Sequence, residues 1–185
     1  MSTYSPNLRI ELITTGTQAG AWGNTTNDNL STVLEAAVAG SVSVTTVSAN
    51  QALTYLNGPT GTSSANQSVR AMLVLDTSTG ANFAVYAPPV SKQYIVKNAS
   101  AYTATIYNST VIGNTTNAGT GVAIPAGKTM TVWSDGTNFT QQNTHLTSPS
   151  FTTPALGTPA SGTLTNCTGL PVSTGVSGLG SGVAT

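Results

Sequence analysis

The sequence predicts a mainly β protein: a short N-terminal strand and one helix, a compact antiparallel β-sandwich or barrel, then an extended Pro/Gly/Thr-rich tail. Three observations predict it. Between residues 41 and 142, short segments rich in Val, Ile, Tyr and Thr alternate with Gly, Pro, Asn and Asp, the pattern of strands and the turns between them. One stretch, near residues 26 to 39, carries a clear apolar period of 3.6. At 149, 154 and 159 prolines recur at every fifth position, and proline fixes φ and removes a backbone donor. The chain is thereby divided into 1–40, 41–142 and 143–185.

In "LRIELI", Leu8, Ile10 and Leu12 alternate with Arg9 and Glu11, which predicts a short strand. The Gly-rich loop "TTGTQAGAWGN" follows, with Trp22 as its only large anchor. In "TTNDNLSTVLEAAVAG", Thr25 and Asp28 have the spacing of a capping box. Leu30, Val33, Leu34, Ala37 and Val38 fall on one helical stripe. Gly40 stands where a helix-ending glycine is common. The helix is expected near residues 26 to 39, with a stripe suited to packing on a sheet or against its own copies.

"SVSVTTV" alternates, while "RAMLVLD" is a continuous apolar run, as for a buried strand. "NFAVYA", "QYIVKN", "AYTATIY", "TGVAI" and "KTMTVWS" follow. Asp135-Gly136 is a hairpin signal between "TMTVWS" and "TNFTQQ", and Pro125 to Gly127 mark another turn. No helix-length segments separate the strands, which argues against a parallel α/β fold.

After Asp135 the chain carries no charged residue. "LTSPS", "FTTPA" and "LGTPA" align as three pentads led by Leu146, Phe151 and Leu156, with prolines at 149, 154 and 159. Each proline also steers its preceding residue away from the helical region. At polyproline-like extension, three pentads span about 45 Å. One extended thread cannot bury three leaders aligned along it. Two readings follow: a disordered linker, which the composition allows, or a thread that orders against identical threads with its leaders inward.

Five basic and five acidic residues give a net charge of zero, and charged residues make up 5% of the chain against roughly 25% in average domains. A neutral surface does not attract DNA phosphates or anionic lipid, so neither nucleic-acid binding nor membrane insertion is expected. It also does little to repel identical copies, which points to self-association. Cys167 is the only cysteine, so an intramolecular disulfide is impossible. The opening residues lack the basic start and apolar core of a secretory signal. No run approaches ~18 apolar residues, so no spanning helix is expected.

His145 is the only histidine, and no acid pair, phosphate loop or zinc-protease motif accompanies it. No catalysis, cofactor or metal site is expected. Three copies of His145 on a threefold axis could hold a metal, but an isolated His in a polar loop is ordinarily solvated. Trp22, Trp133 and the six tyrosines could form a sugar platform, whereas the placement of Trp133, Tyr94, Tyr102 and Tyr107 in strand-like runs suggests packing.

Three segments together resemble bacteriophage tail-fibre proteins, especially those of marine and cyanobacterial hosts. "LRIELITTGTQAGAWGNTTNDNLSTVLEAAVAG" is similar to their N-terminal region, "IPAGKTMTVWSDGTNF" to a strand-turn-strand segment, and "SFTTPALGTPASGTLTNCTGLPVSTGV" to their shaft-forming stretches. The resemblance implies a homotrimeric virion protein, assembled in the host cytoplasm, that docks on the tail or baseplate. It assigns docking to the N-terminal segment, with Leu8, Ile10, Leu12 and Trp22 as contacts. Leu30, Val33, Leu34, Val38, Leu146, Phe151 and Leu156 become the trimer-packing residues. A distal receptor-binding domain or protein would recognise the host; it would lie further along a longer product or on another polypeptide. The rival expectations are a carbohydrate-binding adhesin module, which requires an exposed aromatic cluster, and an ice-binding protein, which requires Thr-x-Thr steps at a fixed period.

Overall fold

The computed structural model of the chain describes residues 3–45, 49–59, 65–76, 80–143 and 145. The chain divides into two units after His145, and every described residue belongs to the first. Leu146, Phe151 and Leu156, with their prolines and Cys167, lie outside the described residues.

The described part is mainly β, with three sheets and one N-terminal helix. Strands β1 (Thr3–Tyr4) and β2 (Glu11–Leu12) form a two-residue antiparallel ladder. The remaining strands are β3 (Ser41–Val44), β4 (Gln51–Ala52), β5 (Met72–Leu75), β6 (Phe83–Ala87), β7 (Ser91–Asn98), β8 (Ala104–Asn108), β9 (Val122–Ile124), β10 (Thr129–Asp135) and β11 (Phe139–Gln141). They build one sheet in the order β11-β10-β7-β5-β3 and a second in the order β4-β6-β8-β9.

The antiparallel architecture expected from the sequence holds only for the C-terminal half. β10 pairs antiparallel with β7 and β11, and β8 with β9. In contrast, β3-β5-β7 and β4-β6-β8 are parallel throughout. Parallel neighbours need a crossover, usually a helix. Here each crossover is a strand of the opposite sheet, because the chain changes sheet at every step from β3 to β8. The absence of helix-length connections therefore did not exclude parallel pairing.

The two sheets share one core. Alternate residues Val42 and Val44, Leu73 and Leu75, and Tyr94 and Val96 meet Phe83, Val85, Ala87, Ala104 and Ile106. β5 is not buried on both faces as its apolar run suggested: Leu73 and Leu75 are buried, while Met72 and Val74 are half-exposed. The strand buried along its whole length is β6, "FAVYA". The fully buried Asn98 and Asn108 side chains are hydrogen-bonded, as burial requires. The Asn98 amide donates to the Tyr102 and Ile124 carbonyls at 2.7 and 2.8 Å. In the orientation that satisfies both its ends, the Asn108 amide donates to the Pro88 carbonyl at 3.1 Å and accepts from the Ser134 hydroxyl at 2.7 Å. The two expected turns are present: Gly136 closes β10 to β11 at φ +100, and Gly127 joins β9 to β10 at φ +70.

The helix starts earlier than expected. It runs through three contiguous segments, Trp22–Asp28 (α), Asn29–Leu34 (π) and Glu35–Val38 (α). Its N-cap is Ala21, without a side-chain cap, so Thr25 and Asp28 form no capping box. Thr25 and Thr26 instead donate back to the Ala21 and Trp22 carbonyls at 3.5 and 2.9 Å. Thr32 does the same to Asp28; such back-bonding competes with the helix ladder.

One residue fixes how the helix is turned. The buried Asn29 side chain accepts from the Glu11 N–H at 3.0 Å and donates to the Glu11 carbonyl at 2.9 Å. A side-chain amide thus pairs with the backbone of β2 as a neighbouring strand would. With Asn29 inward, Val33 and Ala36 follow at i+4 and i+7 and join Val69 in a small second core.

Candidate self-association surface

Turning Asn29 inward turns larger side chains outward. Leu30 and Leu34 are 52% and 39% exposed, and Val38 is 74% exposed. At i, i+4 and i+8 they form one row along the helix. The stripe expected from the sequence is therefore split: Val33 is 2% exposed and packs in the chain's own core, while Leu30, Leu34 and Val38 have solvent before them.

The candidate docking residues divide in the same way. Leu8 and Ile10 pack on Val33, Ala36 and Val69; Leu12 and Trp22 are exposed. The three do not share one side, because the 8–12 strand is interrupted. Arg9 adopts φ +59, a left-handed conformation that side chains disfavour, and only Glu11–Leu12 remain in the ladder. Arg9 is held there by its surroundings. Its guanidinium lies 5.6 and 5.7 Å from the centres of the Tyr4 and Tyr55 rings, and its Nε donates to Asn57 Oδ1 at 2.7 Å. The Tyr55 hydroxyl donates to the Pro6 and Asn7 carbonyls. Burial raises its pKa, and the Arg9 charge opposes that rise. This clamp gave no sequence signal, since its rings are about 50 residues apart in the chain.

The outer face of the five-stranded sheet continues the exposed apolar surface. Its inner row, Tyr94, Val96 and Val132, is buried, so the alternate residues Ile95 and Trp133 point out at 38% and 43% exposure. A groove of about 200 Å³ lies between this face and the end of the helix, lined by Ala37, Val38, Ala71, Gln93 and Ile95.

A second feature stands away from the helix. Beyond β8 the chain turns back through a narrow loop, closed by the Ser109–Asn117 bridge and by Thr110 N–H donating to the Thr116 carbonyl at 2.9 Å. Its tip is Val111-Ile112-Gly113, tightened by Asn114 N–H donating to the Val111 carbonyl at 3.1 Å and by Gly113 at φ +84. Val111 is 64% and Ile112 51% exposed. In the sequence, the apolar pair before Gly-Asn is the trace of this tip.

Lys92 is the most perturbed cation. Its Nζ donates to the Arg70 and Gln93 carbonyls at 2.9 and 3.1 Å and lies 4.0 Å from the centre of the Tyr94 ring. Burial lowers its pKa to about 8. The buried Tyr94 hydroxyl, donating to the Ser68 carbonyl, is pushed well above the ordinary tyrosine range by burial.

Among the described residues, no group of three His, Cys, Asp or Glu side chains could hold a metal, and no helix is long and apolar enough to cross a membrane. The ring–ring contacts among them are Tyr86–Tyr107 and Tyr94–Phe139, neither of which includes Trp22, Tyr102 or Trp133.

No protein-family profile matches the chain, and no curated protein or solved structure matches it either.

Proposed function

We propose that this protein is a virion structural component: an attachment module joining a homotrimeric tail fibre to the tail or baseplate of a bacteriophage, and supporting host recognition by a distal element. The observation that carries this reading is the exposed row of Leu30, Leu34 and Val38 on a chain with only five charges of each sign. Three large aliphatic side chains exposed in line on one helix face are the anatomy of an interface. The near absence of charge removes the repulsion that would keep identical copies apart.

In this reading the helix row and the pentads led by Leu146, Phe151 and Leu156 pack between copies. Leu12 and Trp22 are the groups free to reach a tail protein, while Leu8 and Ile10 support them from inside. The two sheets with their shared core form the folded body that carries the helix row.

Light scattering on the purified full chain tests the assembly. A mass three times 18.6 kDa is expected, and a monomer at micromolar concentration would refute it. Antibody labelling of virions tests the location, with signal expected at the base of the fibres. Binding to glycans together with absence from virions would favour the adhesin reading instead.

A further inference from the structure

The Val111–Ile112 tip and the groove beside Ile95 are two halves of one contact. We propose that the tip of one copy seats in the groove of the next, so that the trimer closes through a head-to-tail ring of knob-in-hole contacts. This deepens the proposed trimeric assembly and rests on it; it adds a contact that the helix row does not provide.

Size, chemistry and placement support the pairing. The knob is a branched aliphatic pair held at the end of a braced loop, with its turn fixed by Gly113 and Asn114. The hole is about 200 Å³ and is lined by Ala37, Val38, Ala71, Gln93 and Ile95. That is room for one or two aliphatic side chains, and no charged residue lines it. The Gln93 Nε2 donates to Gln142 Oε1 at 3.2 Å, so one of its donors already has a partner before a knob enters.

Knob and hole also occupy different parts of the chain. The tip follows β8 of the four-stranded sheet, whereas the groove lies on the five-stranded sheet and the helix. Two different patches of one chain that fit each other make a heterologous contact. Such contacts close into a ring when the rotation allows. A contact between copies of the helix row pairs like with like, so the two arrangements can be told apart by which positions meet.

Cysteine cross-linking decides between them. In the full chain carrying Cys167→Ser, the pair Ile95→Cys and Ile112→Cys should give covalent dimers and trimers on mild oxidation with oxidised glutathione. Each single substitution should give none. An unsubstituted chain that is trimeric, with no cross-link from the double variant, overturns the knob-in-hole contact and leaves the trimer standing. A monomeric unsubstituted chain overturns both. As a second measurement, Ile112→Asp should raise the protomer–trimer dissociation constant at least tenfold. The protomer's melting temperature should hold, because the side chain is exposed. An unchanged dissociation constant would also overturn the proposal.

Discussion

At the scale of single residues, Gly40 is held by proximity. A Cβ there would lie 2.6 Å from the Ala36 carbonyl oxygen and 2.8 Å from Ala36 Cα. The same oxygen accepts from both Gly40 and Ala71 N–H at 3.1 Å, so it cannot withdraw without breaking the junction of helix and sheet. Gly40→Ala should cost about 1–3 kcal/mol, as overpacking typically does, read by denaturant unfolding; a change below ~0.5 kcal/mol would show that the backbone yields freely. Lys92 gives the residue-scale pH dependence. Its folded pKa of about 8 lies below the ordinary 10.5, so between those values the folded chain holds fewer protons than the unfolded one. Stability therefore rises with pH across that window. The gain from pH 7 to 9.5 should be about 1–2 kcal/mol, and Lys92→Met should abolish it. Above pH 10 the raised Tyr94 acts in the opposite direction, since the unfolded chain then loses its proton first.

At the scale of elements, the helix shows what a sequence period can and cannot reveal. The helix, its end near Gly40 and most strands of the β region were legible, because alternation and turn chemistry are local. The rotation of the helix was not. Bulk favours turning Leu30, Leu34 and Val38 inward; the structure turns in Asn29, Val33 and Ala36, because the Glu11 backbone needs a hydrogen-bonding partner that only Asn29 supplies. Asn29→Ala should destabilise by about 1–3 kcal/mol by stranding those backbone groups, measured by thermal or denaturant unfolding. Loss of less than a few tenths would mean that the helix is oriented by Val33 and Ala36 alone. Parallel pairing was illegible for a related reason. Each strand's alternation reports one buried face but not which strand lies beside it, so β3, β5 and β7 read like members of a meander. The Val111–Ile112 tip was missed because two exposed aliphatics in a loop carry no period.

At the scale of the whole molecule, the prediction concerns assembly. Leu34→Asp changes an exposed side chain, so the protomer should keep its stability within about 0.5 kcal/mol. If the helix row packs between copies, the same change buries a charge at the interface and should convert trimer to monomer by light scattering. A Leu34→Asp trimer as tight as the unsubstituted one would place the helix row outside the interface. The winding of the chain between its two sheets bears on time rather than on contacts. From β3 to β8 no strand pairs with the next one in sequence; Val42, for example, finds its partner Leu73 about 30 positions later. Neither sheet can then be completed by local zippering, and folds dominated by such distant pairings form in milliseconds to seconds rather than microseconds. The groove needs β7 and the tip follows β8, so both halves of the proposed contact mature only after the winding is complete. In the proposed assembly, each chain therefore has to complete its own winding before it can offer either half of the contact to another copy.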